Sequence, residues 1–507
     1  MNATPPPAES PQSADGTAAA PSPRPAGWKG RIDHYFQVSA RGSDFGRELR
    51  GGLATFFAMA YIIVLNPLII GTAPDAGGDT LGIARVAATT ALVGGVISIL
   101  MGVVSRYPFA IAAGMGLNVI VAYSLAPQMT WADAMGIVVL EGLVLLVLVL
   151  TGFRTAVFRA IPPGLKTAIA VGVGMFLTLV GFVNAGFVRR MPDAANSTVP
   201  VQLGEGGLAG WPILVFVIGL ALTIALIVRR VKGAMLIGIA VATAVAMVVE
   251  AVAHVGPMAG DDGTVNPSGW ALTVPALPTS AGDLVALPDF SLVGHFSLFG
   301  SFANVGAIAV ILLLFTLLLA DFFDTMGTMV GVGGQAGLLD ADGNVVRARE
   351  VLVVDALGTV AGGAAAASSN TVFAESAAGV GEGARTGIAP IVTGLLFLVA
   401  TLFSPLVTLV PFEAATPVLI VVGFMMMTQV TKIDFADMAI GIPAFLTIAA
   451  MPFTYSISNG IGIGFITYTL IRLVQGRPRD VHPLMWLVAA AFLVHFALGP
   501  IESLLGL

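Results

Sequence analysis

The chain has 507 residues, 57% of them hydrophobic and only 10% charged, a formal net charge of −6 and a mean hydropathy of +0.94. Soluble domains carry roughly 25% charged residues, so this composition excludes a soluble globular protein and defines an integral membrane protein. The apolar stretches do not alternate with polar residues, which excludes β-barrel spans, and without cysteine there is neither a disulfide framework nor a thiolate metal site.

In chain order, residues 1–46 read as a disordered tail. The opening "MNATPPPAESPQSADGTAAAPSPRPAG" is rich in Pro, Ala and Ser and lacks an apolar h-region, so it is neither signal peptide nor core. Apolar stretches of about 20 residues, each able to cross the hydrocarbon as a helix, follow at 48–72, 82–104, 107–126, 131–152, 164–184, 210–229 and 233–253. A second set falls at 302–334, 350–366, 371–382, 386–410, 415–431, 436–453 and 457–473. The expected fold is thus an all-α polytopic membrane protein with seven spans in 47–253, a loop at 254–301, seven spans in 302–474 and a C-terminal segment, 475–507, with an additional apolar helix whose side is left open.

Charge orients the plan. Lys and Arg in short loops favour the cytoplasm, and Arg47, Arg50, Arg106, Lys166, Arg229, Lys232, Arg347, Arg385, Lys432 and Arg472 fall on one side, with the N-terminus. The loop after His254 carries Asp261, Asp262, Asp283 and Asp289 but no Lys or Arg up to Asn304, as the opposite side requires; Arg189 and Arg190 break the pattern. An odd number of spans per half makes the halves run in opposite directions, the arrangement of inverted-repeat transporters. The third span, "FAIAAGMGLNVIVAY", and the tenth, "TVFAESAAGVGEG", are interrupted by glycine, and paired interrupted segments mark a transporter's binding site.

Carboxylates at bilayer depth cost at least about 2.5 kcal/mol on insertion scales and face a cavity or a partner. In "LLLADFFDTMGTMVG", Asp321 and Asp324 stand three apart on adjacent parts of one helical face, where two carboxylates in a poor dielectric resist ionising together and so suit proton loading. Asp355 is a further proton-coupling candidate or a structural partner. Glu375, in the broken tenth span, follows Phe373, a ring able to stack on a planar substrate, and Ala374, small enough for the backbone to approach one. Asn118 offers both donor and acceptor to a heterocycle. Glu382 and Arg385 read as a boundary ion pair, and Glu141, far along the sequence from either interrupted segment, reads as outside the substrate site.

Six ordered motifs, "GLATFFAMAYIIVLNP", "GMGLNVIVAY", "ADFFDTMGTMVGVGGQAG", "VDALGTVAGG", "ESAAGVGEGARTG" and "MPFTYSISNGIGIGFI", make the chain resemble the AzgA-like purine permeases of the nucleobase–cation symporter-2 family over residues 47–472. The resemblance implies a 7+7 inverted-repeat transporter with core and gate domains, short extended segments in the third and tenth spans, and proton-coupled uptake of adenine, guanine or hypoxanthine across the cell membrane. By position, Asn118, Asp321 and Glu375 match the family's substrate contacts, and Asp324 matches the second carboxylate of the eighth span. Where relatives often have Tyr, this chain has Phe373, which keeps the ring and removes a hydroxyl. The expected partners are a purine nucleobase and membrane lipid, with a homodimer left open and no nucleic acid; no cofactor or metal is expected beyond the coupling proton. A uracil or xanthine permease and an anion transporter of the same architecture remain the alternatives.

Overall fold

A computed structural model describes residues 28–151, 161–190, 201–204, 207–258, 266–339 and 345–497. The segment read as tail ends earlier than composition suggested. Its first 27 residues lie outside the described residues, but α1 (Trp28–Phe36) is a helix. Tertiary contacts fix it: the Tyr35 hydroxyl donates to the Val103 carbonyl at 2.9 Å, and the Arg106 guanidinium lies 4.1 Å above the Tyr35 ring.

The first set of segments then follows as α2 (Phe45–Met59), α3 (Ile62–Ile70), α4 (Ile83–Ser105), β1 (Ile111–Ala113), α5 (Met115–Ile120), α6 (Trp131–Thr151), α7 (Pro163–Asn184), α8 (Trp211–Val228) and α9 (Ala234–Ala253). After the long loop come α10 (Gly300–Asn304), α11 (Ala307–Gln335), α12 (Ala348–Ala364), β2 (Asn370–Val372), α13 (Ser376–Gly381), α14 (Ile388–Ala400), α15 (Pro417–Met427), α16 (Met438–Phe453) and α17 (Ile457–Val474). Ten spans among the described residues are long and apolar enough to cross a membrane, the first running from Phe45 to Ile70 across a break at Ala60 and Tyr61. The last helix, α18 (Pro483–Phe496), has 14 residues. At a 1.5 Å rise it is about 21 Å long, short of the roughly 30 Å hydrocarbon core; it packs on α17, where the Phe492 ring covers Gly462.

The helices gather in two groups. One packs α4 against α14 and α3, α2 against α14 and α13, and α6 against α12; the other packs α7 against α15 and α16, and α16 against α17, while α11 touches both. Between lipid-soluble helices the hydrophobic effect gives no drive to associate, so close backbone approach through small residues does the work. Two glycine pairs make the α4–α14 seam: a Cβ on Gly102 would strike the Gly387 carbonyl, and one on Gly95 the Gly394 carbonyl, each pair one heptad from the other. In the α6–α12 seam Gly142 lies against the Val360 amide and Gly363 against the Val139 amide.

The strands carry the two interruptions. β1 and β2 pair antiparallel in the register Ile111–Val372, Ala112–Thr371, Ala113–Asn370, with all six residues buried. A two-stranded ladder leaves an outer edge on each strand, and unsatisfied backbone cannot persist at membrane depth. Side chains take up part of each edge. Ser98 on α4 accepts from the Ile111 amide and donates to its carbonyl, both at 2.9 Å; on α12, Asp355 Oδ1 accepts from the Val372 amide at 3.2 Å and Thr359 donates to the Asn370 carbonyl at 3.3 Å.

The exception to the charge pattern also has a local reason. Arg189 sits in an exposed-end hairpin, Val188–Arg190 paired with Val201–Leu203, and its Nη1 reaches Met258 Sδ at 3.3 Å. Contact with the loop after α9 holds it there.

Candidate substrate site

The end of β2 turns sharply into α13, and this turn presents Phe373, Ala374 and Glu375 to a cavity of about 220 Å³. Local hydrogen bonds absorb most of the turn's amides: Phe373 donates to the Ala110 carbonyl, Ser376 to Phe373 and Ala378 to Glu375, whereas the amides of Ala374 and Glu375 donate to no backbone carbonyl among the described residues. Gly379 seats the following half-helix directly on Gly51 and Thr55 of α2. The same α2 ends at the break that carries Tyr61. Its hydroxyl donates to Glu375 Oε1 at 2.6 Å, and its ring lies 6.5 Å from that of Phe373 at 47°.

The opposite wall comes from Gly114, Met115 and Gly116 at the start of α5, from Asp324 and Thr328 of α11, and from Met425, Met426 and Gln429 at the end of α15. Thus the wall combines both groups of helices. Its volume is below the roughly 300–1,000 Å³ of drug-sized pockets, which suits a small planar molecule. An aromatic pair, adaptable thioethers, one amide and two carboxylates face it, and no residue on its wall is basic. The arrangement can hold a ring with several N–H donors.

The sequence candidates divide. Phe373, Ala374, Glu375 and Asp324 meet at the cavity. Asp321, assigned to both substrate and proton, is fully buried and absent from the cavity wall: its Oδ2 accepts from Thr359 at 3.0 Å and Ser369 at 3.2 Å, and its Oδ1 from Thr325 at 3.4 Å. Asp355 lies in the same layer, with Thr325 3.0 Å from each of its carboxylate oxygens. Three residues on a helix turn the side chain by about 60°, enough to set Asp324 in front of β2 and Asp321 behind it. Asn118 is fully buried, does not line the cavity, and neither side-chain polar atom has a hydrogen bond among the described residues.

One pairing changes, and two wall residues were not foreseen. Glu382 pairs with Lys232 at the head of α9 and not with Arg385, whose guanidinium donates to the Val380 and Ala384 carbonyls at 2.7 Å each. Glu141, read as outside the substrate site, does not line the cavity; it is buried on α6, which packs against α12, the helix that carries Asp355. Tyr61 was missed altogether; the signal available was a hydroxyl-bearing ring in the middle of an apolar span. Gln429 was missed too, hidden at the end of "VVGFMMMTQ".

Spanning helices, a cavity between broken spans, and wall residues contributed by two helix groups define a multi-pass membrane transporter, not an enzyme. The chain belongs to the Permease family, which matches residues 46–463, in agreement with the six-motif resemblance. It is 36% identical over 470 residues to the guanine/hypoxanthine permease PbuG of Bacillus subtilis, covering 91% of this chain and 98% of that one. It is 34% identical over 470 residues to the adenine permease AdeP of Escherichia coli, covering 92% and 96% respectively. Among solved structures, the transmembrane domain of the bicarbonate transporter BicA from a cyanobacterium has a TM-score of 0.56 at 14% identity, over 82% of this chain and 96% of that one. The murine anion transporter Slc26a9 in its inward-facing state gives 0.55 at 11% identity, over 89% and 73%. Identities this low speak for the fold alone.

Proposed function

We propose that this protein takes up purine nucleobases, adenine, guanine or hypoxanthine, across the cell membrane together with protons, by alternating access. The observation that carries the reading is Glu375, held by Tyr61 at the mouth of a turn whose neighbours are a ring, Phe373, and a small residue, Ala374. A purine presents ring N–H and, in adenine and guanine, amino donors to such a carboxylate, while the Ala374 amide and Gln429 can donate back to its ring nitrogens. The names of the curated relatives point the same way. An anion substrate fits poorly against two carboxylates with no basic residue on the wall.

In this reading the two sets of seven spans are inverted repeats, the group holding β1 and β2 is the core, the group of α7, α15, α16 and α17 is the gate, and the N-terminus is cytoplasmic. Asp324 meets the substrate, whereas Asp321 and Asp355 carry the proton behind the strand; Asn118 supports the core half of the site. No cofactor takes part. Uptake of labelled purines by proteoliposomes under an imposed proton gradient tests the proposal, with uracil, xanthine and bicarbonate as competitors. Accumulation of purine that collapses with an uncoupler is expected; accumulation of uracil or bicarbonate in its place would overturn the substrate reading, and purine uptake indifferent to the uncoupler would overturn the symport.

A further inference from the structure

A second cavity adjoins the substrate cavity. It has a volume of about 40 Å³ and shares Gly116, Asp324 and Met426 with the first, so these three residues form the partition between the two. The rest of its wall is hydrocarbon: Leu117 of α5, Ile169, Ala170 and Val173 of α7, and Ala320 of α11, with Leu117, Ile169 and Val173 buried. Among the described residues Asp324 is the one polar side chain on that wall, and it belongs to the edge held in common with the substrate cavity.

The space is too apolar to be a water site. A water needs roughly 10–15 Å³ and about two to four polar partners; this cavity exceeds the first and offers the Asp324 carboxyl for the second. Apolar cavities of this kind stay dry and take up apolar groups. The partition is also easy to pass. Gly116 puts no side chain in it, and a Cβ there would come within 2.7 Å of Val173 Cγ1; Met426 is a flexible thioether that can turn aside. A purine held at Glu375 through its N–H donors has ring carbons that neither donate nor accept. Such an edge loses nothing when it faces hydrocarbon, and a methyl group on it gains by burial.

We propose that this second cavity is an apolar subsite of the substrate site, which accepts a small apolar substituent, a methyl group or a halogen, on a ring carbon of the bound purine. Ala170 on α7 and Ala320 on α11 set its size, since each contributes a single methyl to the wall. Met426 is the movable edge past which the substituent enters. The subsite therefore widens the range of ligands beyond the unsubstituted bases, and it does so on size and polarity alone.

This inference rests on the purine reading proposed above, and its test separates the two. Binding to the purified protein is measured by titration calorimetry for hypoxanthine and for hypoxanthine methylated at one or other of its free ring carbons, in the wild type, Ala170→Leu and Ala320→Leu. At least one methylated compound is expected to bind the wild type as tightly as hypoxanthine or up to about fourfold tighter, the worth of one buried methyl group. Ala170→Leu and Ala320→Leu each fill the space, and the affinity of that compound relative to hypoxanthine is expected to fall by about tenfold or more in both. Rejection of both methylated compounds by the wild type would overturn the proposal. So would an unchanged ratio in the filled variants, because the methyl group would then lie elsewhere in the larger cavity; if one variant does not fold, the other, on the opposite wall, decides. Wild-type protein that binds no purine at all would instead overturn the purine reading itself.

Discussion

The Tyr61 hydroxyl donates to Glu375 Oε1 at 2.6 Å and so joins the break in the first span to the turn of the tenth, 314 residues apart. A carboxylate fixed by one donor has its remaining lone pairs aimed, and a substrate that meets it gives up less orientational freedom. Hydrogen bonds to charged groups are worth about 1.5–3 kcal/mol net. Tyr61→Phe keeps the ring and removes the donor; purine affinity is expected to fall about tenfold, or about 1.4 kcal/mol. Glu375→Gln places a donor where an acceptor is needed and is expected to cost roughly 1–3 kcal/mol. Titration calorimetry on the purified variants reads both, and tighter binding by Tyr61→Phe would mean that the tyrosine competes with the substrate.

The two aspartates of α11 are expected to separate by phenotype. Asp324 is on the cavity wall and Asp321 behind the strand, so Asp324→Asn should change the purine dissociation constant, while Asp321→Asn should leave it nearly unchanged and abolish accumulation against a gradient. Equal loss of binding in both variants would contradict the placement of Asp321.

The glycine seam predicts a sharp contrast in stability. Gly102→Val drives a side chain into the Gly387 backbone, and overpacking of this kind costs typically about 1–3 kcal/mol, sometimes more. Gly381, at the end of α13, has open space where its Cβ would be, so Gly381→Ala is expected to be neutral or stabilising by up to about 1 kcal/mol. Thermal melting in detergent ranks the two.

The chain contains no cysteine, which makes sidedness easy to read. Cysteine placed at Gln475, after the Arg472 end of α17, should resist an impermeant thiol reagent in intact cells. One placed at Leu287, 91% exposed in the long loop, should react. The opposite pattern would invert the topology.

What the sequence disclosed and what it withheld follow from one distinction. Hydropathy reports where a helix lies along the chain, so the spans, and even the two interruptions, were legible from apolar length and from Gly114, Gly116, Gly379 and Gly381. It does not report rotation about a helix axis or which helix stands opposite. The sequence reading therefore set Asp321 among the substrate contacts and Asp324 only as the second carboxylate, whereas Asp324 is the one on the cavity wall. Glu141 appeared isolated because its neighbours come from α11 and α12, and Tyr61 appeared to be one more aromatic in an apolar span. The helix at Trp28–Phe36 was hidden by the composition of the residues just before it.

The pairing of β1 with β2 also sets a clock on biosynthesis. Ile111 must wait for Val372 before its strand has a partner, and at the roughly 5–20 residues per second of translation the 261 residues from 112 to 372 take about 13–50 s to make. Through that interval the third span cannot rest in lipid as a finished element, since its strand has backbone groups that only the second half can satisfy. The nascent first half must be kept in the insertion machinery or in a watery pocket of its own until the ribosome has passed residue 372, and a chain truncated before that point is a natural target for membrane quality control.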